Sequence, residues 1–452
     1  MMNFTHASIS WLEILLEERF GQKFRLTPKD DSLKLSLAGA SGQILFDRLL
    51  PEFHQSRSDF GCAHWDATPE GFIANVGSFL PAPGVEDLVR PLVTHTDSSI
   101  VVNYDILGLI YWMLTRLEEI GRTDLDSHGR FPALASHAHQ HRYLERPIAD
   151  EWMEILRQII CRQWPQLAIK QHRFTVKISH DVDSPSRYGF KDVKGLIHTI
   201  AADIVKHDKV KSAVVAPWVY LNSDKRLHPL DPENTFEWIM DQSEKFGLRS
   251  AFYFMCGRTD LAYDAEYEPE HPAVRRLMRQ IHERGHEIGL HPSYGTYQSS
   301  EKIIQEAIRL RQICDNEGID QQEWGARMHF LRWKQPDTLT ALDEAGLAYD
   351  SSLGYADHPG FRCGTCFEYP GFDPIADKQL KLRVRPLIAM EQTIISDLYL
   401  GLGSSERAYR KLLDLKNACR SVGGVFTLLW HNSSLSNKKL RSIYYRLLDD
   451  SH

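Results

Sequence analysis

The sequence lacks the long apolar and basic segments that mark membrane proteins. The apolar stretch ILGLIYWML at 106–114 falls far short of the roughly 20 residues that cross a bilayer. The N-terminal stretch MMNFTHASISWLEILLEERFG has no basic region ahead of an apolar one, and Glu13, Glu17 and Glu18 interrupt it. We interpret it as an amphipathic helix and not as a signal peptide. A soluble, cytoplasmic protein without a transmembrane segment is therefore expected.

Concentrated positive charge and paired cysteines are also missing. The 452 residues carry a net charge of −7, with Lys and Arg scattered along the chain, so neither nucleic acid nor an anionic membrane is indicated as a partner. The seven cysteines, an odd number, suit free thiols in a reducing compartment. Cys363 and Cys366 form one CxxC, but without a second pair we expect two ordinary thiols there and no zinc site. The pattern specifies no oligomeric state.

Residues 1–170 have the sequence pattern of an α+β domain. Strand-like stretches come first, at LKLSLAG, QILFDRLL and FIANVGSFLP, and helical spacing follows over 104–121 and 146–164. The histidines of an intervening stretch are His128, His137, His139 and His141. The alternation of His139 and His141 would suit a metal on one face of a strand, but a polar loop packed between helices is the favoured interpretation.

Residues 171–452 show a different sequence pattern, in which short apolar runs alternate with helical segments. Strands are predicted at RFTVKIS, RSAFYFM, HEIGLH and GGVFTLLW, and helices at TFEWIMDQSEKFG, HPAVRRLMRQIHERG, SEKIIQEAIRLRQICDNEG and PDTLTALDEAG. This alternation predicts parallel strands joined by crossover helices, either in a doubly wound sheet or in a barrel. No glycine-rich phosphate loop opens a helix, which disfavours a nucleotide-binding version of the fold.

Polar residues follow four of the predicted strands directly. Asp181 and Asp183 end the first, His291 follows HEIGL, Arg327 follows EWGA and His431 follows VFTLLW. In α/β folds the carboxyl ends of parallel strands share one rim, where ligands bind and catalysis occurs. We therefore expect these side chains to meet in one cleft, where neighbouring carboxylates push each other's pKa values apart. A turn capped by the aspartate side chains is the structural alternative for Asp181 and Asp183.

Several motifs resemble those of a known enzyme superfamily. SHDVD, GHEIGLHPSY and LLWHN resemble the first, second and last signature motifs of the polysaccharide deacetylases. GARMHFLRW, AGLAYDSSLGYADHPGFRCGT and VRPLIAMEQTI are similar to a divergent bacterial subgroup with an extra N-terminal domain, as are YWMLTRLEEI, DSHGRFPA and RYLERP. The resemblance covers about residues 100–435. It implies a distorted (β/α) barrel of the deacetylase type over 171–452, preceded by an α+β domain of unknown role over 1–170.

The resemblance also implies roles for the residues at the rim. Asp181 matches the general base, Asp183 the carboxylate that binds a metal and His291 the first metal histidine. Arg327 matches the arginine that orients the base, and His431 matches the acid. The implied cofactor is a divalent metal, expected to be zinc. The implied substrate is a carbohydrate.

The sequence departs from the family pattern at Gly295, where the second metal histidine is expected. His286 lies five residues before His291, a spacing that puts the two side chains on opposite faces of a strand, so we expect His286 to be a buried structural residue. His329 or Tyr294 could supply the third protein ligand that catalytic zinc sites usually have.

The predicted function is hydrolysis of a non-peptide C–N bond, with removal of an acetyl group from an amino sugar or polysaccharide intermediate. An amide is a weak electrophile with a poor leaving group, so a Lewis-acid metal, a carboxylate base and a protonated imidazole suit its hydrolysis. One alternative is a metal-independent C–N hydrolase in which Asp181 and His431 move the protons. The other is a catalytically inactive carbohydrate-binding protein.

Aromatic residues beside the motifs suit a carbohydrate substrate, because sugars present apolar faces to flat rings. The residues expected to bind the substrate are Tyr294, Arg332, Trp333 and Arg362. Arg362 lies in the glycine-rich segment 354–365, where it could meet an anionic group of the substrate or form a salt bridge within the protein.

Overall fold

The computed structural model describes residues 4–29, 31–96, 98–205 and 210–449. The strands are β1 (Phe24–Lys29), β2 (Ser32–Leu37), β3 (Gln43–Phe46), β4 (Cys62–Asp66), β5 (Phe79–Pro83), β6 (Val93–His95), β7 (Ser99–Val102), β8 (Thr175–Val182), β9 (Ser250–Phe254), β10 (Glu287–Leu290), β11 (Gly325–Ala326), β12 (Tyr349–Asp350), β13 (Tyr369–Asp373), β14 (Lys378–Val384), β15 (Ala389–Met390) and β16 (Val425–Leu429). The helices are α1 (His6–Phe20), α2 (Ile106–Leu114), α3 (His137–Gln140), α4 (Ile148–Gln163), α5 (Val193–Val205), α6 (Val210–Leu221), α7 (Phe236–Lys245), α8 (Pro272–Glu283), α9 (Ser300–Asn316), α10 (Asp337–Glu344), α11 (Glu391–Ile395), α12 (Glu406–Ser421) and α13 (Lys438–Leu448).

The first part of the chain, up to residue 170, forms a five-stranded sheet in the order β1-β2-β3-β7-β6. Strands β4 and β5 pair with each other separately. Helix α1 begins at the Thr5 cap, whose side chain accepts the Ser8 N–H, and ends at Gly21. Gly21 has a φ of 72°, a conformation that favours glycine at helix ends. The prediction of a strand over 72–81 is wrong for most of its length, because β5 begins only at Phe79.

The helix predicted over 104–121 ends early. Helix α2 covers only Ile106–Leu114, all buried, and the backbone turns left-handed at Arg116, where φ is 51°. The buried Arg116 guanidinium pairs with Glu119 at 2.8 Å and with Glu118 at 3.2 Å, and Leu117–Glu119 form a 3₁₀ turn in place of a further α-helical turn. No helix within the described ranges is long and apolar enough to cross a membrane.

The second part is built on a nine-stranded sheet in the order β13-β14-β12-β11-β10-β9-β8-β16-β15. Every neighbouring pair is parallel except β13 with β14. Strand β8 lies inside the sheet, and its residues from Ile178 to Val182 are buried, as its apolar run predicts. The mixed α/β fold class is confirmed. The curled sheet stays open between β13 and β15, which fits a distorted barrel.

The two parts of the chain share contacts and core. Trp11 donates from Nε1 to the Pro370 carbonyl at 2.9 Å, and Asp150 accepts from the Thr365 hydroxyl at 2.7 Å and the Cys366 N–H at 2.8 Å. One cluster of buried apolar side chains includes residues from both parts. The division into domains at residue 170 therefore stays a prediction.

Candidate active site

Polar residues gather where the parallel strands of the large sheet end. Asp181 lies in β8, His291 follows β10, Arg327 follows β11 and His431 lies two residues after β16. The Arg327 N–H donates to the Leu290 carbonyl of β10 at 3.0 Å, which extends the ladder one residue beyond β11. Because the strands are parallel neighbours, their carboxyl ends bring these side chains to one rim.

Asp181 and Arg327 form a buried ion pair. Arg327 Nη1 lies 3.2 Å from Asp181 Oδ1, and the two side chains are 0% and 4% exposed. The same guanidinium donates to the Ser179 hydroxyl at 2.7 Å and to the Ser351 carbonyl and hydroxyl at 2.9 and 2.8 Å. These bonds fix the guanidinium, and the guanidinium in turn holds the Asp181 carboxylate in one orientation.

Asp183, His291 and His329 face one another beside this pair. Asp183 Oδ1 lies 3.2 Å from His291 Nε2 and 3.8 Å from His329 Nε2, and the three possible ligand atoms lie within 4.8 Å of one another. Although they lie 3.2 Å apart, Asp183 Oδ1 and His291 Nε2 are not aligned for a hydrogen bond with each other, and both are buried without another partner, which is rare for buried polar atoms. Oxygen and imidazole nitrogen are common zinc ligands, at about 2.0–2.2 Å from the metal. Asp183, His291 and His329, called the metal-binding group below, therefore fit a divalent cation.

The second ring nitrogen of each histidine is held by an outer partner. His291 Nδ1 lies 2.5 Å from the Arg327 carbonyl oxygen, and His329 Nδ1 lies 3.1 Å from Asp264 Oδ1. Such contacts set the ring orientation and leave Nε2 for a metal. The other donors to Asp264 include the backbone N–H groups of Thr259, Asp260 and Tyr294, each at 2.7 Å. Asp264 thus fastens the loop after β9 to the His329 ring.

His431 lies against Glu391, the first residue of α11. His431 Nδ1 is 2.9 Å from Glu391 Oε1, and His431 Nε2 is 3.6 Å from Asp183 Oδ2. Burial opposes a charge on this imidazole, but Glu391, Asp183 and Asp181 outweigh burial and raise the pKa of His431 to about 10. These carboxylates therefore favour the protonated form of the ring, whose Nε2 faces Asp183.

The charges of the metal-binding group support one another. Burial alone would raise the pKa of Asp183, but His329, His291 and His431 hold it well below its usual range. Burial likewise opposes a charge on His291, while Asp181 and Asp183 raise its pKa. Asp183 is therefore ionised, as a carboxylate that binds a metal must be, whereas a cation bound here would take the place of any proton on His291 and His329 Nε2.

Tyr294 and Arg332 form a wall next to His329. Arg332 stacks over the Tyr294 ring at 4.0 Å and donates to the carbonyl oxygens of Tyr294 at 2.6 Å and His128 at 2.7 Å. His128 Nδ1 lies 3.0 Å from the Tyr294 hydroxyl, so the first part of the chain contributes to this wall. The Phe330 ring lies 4.8 Å from His329 on a backbone with φ 60°, an uncommon conformation that clusters at functional sites.

Trp333 and Arg362 require a correction, because neither presents a free group to a substrate. They are 2% and 3% exposed. Arg362 Nε lies 2.9 Å from Glu119 Oε1, and Nη1 donates to the Gly354 carbonyl at 2.9 Å. The salt-bridge alternative therefore describes Arg362, and Trp333 packs in the core.

The remaining histidines and cysteines of interest lie outside the metal-binding group. His286 is buried, as expected of a structural residue. His139 lies in helix α3 and His141 caps it, so these two do not alternate along a strand. Cys363 and Cys366 are free, buried thiols.

Two of the residues that complete the site are not found by sequence reasoning. Glu391 directly follows β15, and its position after a short strand within VRPLIAMEQTI is a signal that could identify it. Asp264 lies in an irregular loop, where no periodic pattern marks it. His329 is one of two residues that the sequence suggests as the third ligand, and the structure places it beside Asp183.

A cavity of about 380 Å³ lies at the opposite end of the sheet, where Val425 begins β16. Its charged lining residues pair with each other, as Arg19 does with Asp150 and Arg383 with Glu18. These four charges are therefore already paired, whereas the rim includes two buried ligand atoms that make no hydrogen bond, Asp183 Oδ1 and His291 Nε2.

Comparisons with known proteins do not establish an activity for the chain. Residues 4–165 match DUF7033, a family of unknown function, and no curated protein matches the chain. A candidate polysaccharide deacetylase from Mycobacterium smegmatis is 16% identical with a TM-score of 0.39, over 62% of this chain and 84% of that one. The PuuE allantoinase is 12% identical with a TM-score of 0.38, over 61% and 83%. A candidate polysaccharide deacetylase from Pseudomonas aeruginosa is 15% identical with a TM-score of 0.38, over 61% and 84%. Likeness at this level assigns no reaction to the chain.

Proposed function

We propose that this chain is a metal-dependent hydrolase of non-peptide C–N bonds that removes an acetyl group from an amino sugar or a polysaccharide intermediate. One observation carries the proposal. Asp183, His291 and His329 present three ligand atoms within 4.8 Å of one another, next to the buried Asp181 carboxylate and the His431 imidazole. Acid, base and Lewis-acid site are the set that hydrolysis of an amide needs.

Asp183, His291 and His329 would hold the cation, expected to be zinc. A divalent cation bound there polarises a carbonyl oxygen and lowers the pKa of water. The protein's part is to keep two imidazole nitrogens and one carboxylate oxygen converging, which the contacts of the outer ring nitrogens to Arg327 and Asp264 achieve.

Asp181 is suited to accept the proton of the attacking water. Its Oδ2 lies 3.8 Å from His291 Nε2, so the carboxylate borders the position where water and substrate would meet. Its Oδ1 is occupied by Arg327, which leaves Oδ2 for the proton. General-base catalysis of this kind contributes roughly 10²–10⁴-fold to the rate.

His431 is suited to protonate the departing amine. As the C–N bond breaks, the nitrogen takes the proton from His431 Nε2, and Glu391 stabilises the charged ring through Nδ1. The carbonyl carbon keeps the water oxygen, so the products are acetate and a free amine. The proton accepted by Asp181 later returns His431 to its starting form.

A carbohydrate substrate is favoured by the aromatic rim beside the metal-binding group. Tyr263 is 43% exposed and stacks on Tyr294 with ring centroids 4.5 Å apart, and Phe330 lies 5.2 Å from Tyr263. Such rings can pack against the apolar face of a sugar, and the contact of the Tyr294 hydroxyl with His128 Nδ1 at 3.0 Å holds the Tyr294 ring in this position.

Turnover should depend on the cation. We expect the purified chain to release acetate and free amine from N-acetylated amino-sugar oligomers, to stop after chelation and dialysis, and to resume on addition of zinc. Amine labelling and acetate assay measure both products of the same bond. Turnover that survives removal of all metal would instead support the metal-independent hydrolase. A zinc-loaded chain that turns over none of the acetylated substrates would contradict the proposal.

A further inference from the structure

The helical hairpin formed by α5 and α6 exposes an unusual amount of apolar surface. The two helices pack against each other directly after the rim residues that follow β8. Their exposed large apolar residues are Val193, Ile197, Ile204, Val205, Val214, Trp218 and Leu221. Scattered single apolar residues are ordinary on protein surfaces, but a contiguous apolar patch marks an interaction site.

Apart from Val205, these exposed side chains form one stripe on each helix. At 100° per residue, Val193, Ile197 and Ile204 fall within about 40° of one another around α5. Val214, Trp218 and Leu221 are spaced by four and three residues on α6, the spacing of a single face. Trp218 is 61% exposed, and tryptophan is enriched where an apolar phase meets water.

The hairpin buries few apolar side chains on the side that faces the rest of the protein. Tyr188, Leu196, Ala216 and Val219 form a small cluster of their own, apart from the main core. The apolar stripes of α5 and α6 lie beyond this cluster and face outward. The outer face of α6 is therefore not explained by packing within the described part of the chain.

The segment that contains the hairpin has a net charge opposite in sign to that of the whole protein. Residues 191–226 contain seven Lys and Arg and four Asp, a net charge of +3 in a chain of −7. Lys194 is exposed in the first turn of α5, and Lys225 and Arg226 are exposed just beyond α6. Amphipathic helices that combine an apolar face with Lys and Arg lie in the interface of anionic membranes.

The chain segments before and after the hairpin form hydrogen bonds with the candidate active site. The Asn432 side chain, next to His431, donates to the Ser184 and Glu233 carbonyl oxygens at 2.8 Å each. Glu233 also accepts from Arg187 at 3.0 Å. A surface that holds the hairpin would therefore also hold the rim of the site.

We propose that the α5–α6 hairpin docks on an anionic lipid surface, with its apolar stripes in the interface and its basic residues against the headgroups. This assignment revises the expectation, drawn from the scattered charges of the sequence, that no anionic membrane is a partner. Docking would hold the rim of the candidate active site next to the membrane, where an amino sugar attached to a lipid would be within reach. Only this consequence rests on the proposed hydrolase function.

Flotation of the full chain with vesicles tests the docking. We expect binding to vesicles of phosphatidylglycerol mixed with phosphatidylcholine, weakening with salt, and little binding to phosphatidylcholine alone. The double variant Ile197→Ser/Trp218→Ser should lose at least about tenfold in binding, and Lys194→Glu should weaken it through charge alone. The matched control is Leu398→Ser, which removes an apolar side chain that is 86% exposed elsewhere on the chain.

Several outcomes would overturn the docking proposal. These are a wild-type chain that leaves both kinds of vesicle unbound, equal binding to both, or a double variant that binds as the wild type does. A dimer that the double variant abolishes, without vesicle binding, would assign the face to a second copy of the chain.

The catalytic consequence is separable from the docking. Asp181→Asn should bind vesicles as the wild type does, because Asp181 is buried at the rim and not on the hairpin. The double variant should lose turnover of a vesicle-borne acetylated amino sugar and keep turnover of a soluble one. Vesicle binding without any turnover would leave the docking intact and contradict the hydrolase.

Discussion

Replacing Asp181 by Asn should lower kcat by about 10²–10⁴-fold, because the amide cannot accept the proton of the attacking water. The substitution preserves the shape of the side chain and its acceptor toward Arg327, so the guanidinium keeps a partner. The affinity of the protein for zinc should change little, since Asp183, His291 and His329 remain. Initial rates at saturating zinc and a zinc titration of the same preparation measure the two quantities.

The matched control for this variant is Asp224→Asn, which neutralises an exposed carboxylate outside the site. It should retain wild-type turnover. A thermal melt of Asp181→Asn checks the fold, because breaking a buried ion pair costs about 3–5 kcal/mol when one partner loses its charge. If zinc affinity fell together with kcat in a folded variant, Asp181 would be a metal ligand and not the base.

Replacing His329 by Ala should weaken zinc binding more than any change outside the ligand set. Its Nε2 lies 3.8 Å from Asp183 Oδ1, and we propose it as the third ligand, which position 295 does not supply. Loss of an outer partner typically costs 10–100-fold in metal affinity, so Asp264→Asn should fall in that range and His329→Ala beyond it. Calorimetric titration with zinc ranks the variants.

His95→Ala serves as the control, since His95 is an exposed histidine on β6, in the other sheet. Its zinc affinity should equal that of the wild type. If His329→Ala bound zinc as tightly as His95→Ala, the third ligand would have to come from elsewhere, and the role assigned to Asp264 would fall with it.

Much of the large sheet can be predicted from the sequence, because its elements obey local rules. β8, β9, β10 and β16 are short apolar runs, and helices α7 to α10 have apolar stripes and glycines just beyond their ends. Given parallel strands, the convergence of Asp181, His291 and His431 at one rim follows from chain direction alone.

The rest depends on contacts between distant segments. His329 reaches Asp183 because β10 and β11 pair with Leu290 opposite Ala326, a register that no local pattern specifies. The loop that carries Asp264 has no periodicity to read. Helix α2 ends early where Arg116 takes a φ of 51°, and its guanidinium then donates to the Tyr355 hydroxyl at 3.3 Å, a contact between residues 239 positions apart that helical spacing does not reveal. Arg362 looks like a substrate contact until its partner Glu119, 243 residues away in the chain, is known.

The most direct test of the account is an anomalous difference map, measured at the zinc edge, from crystals of the chain grown with zinc. We expect one strong peak within bonding distance of Asp183, His291 and His329, with Asp181 and His431 on either side of it. A zinc peak held by other residues, or these three side chains turned away from one another, would contradict it.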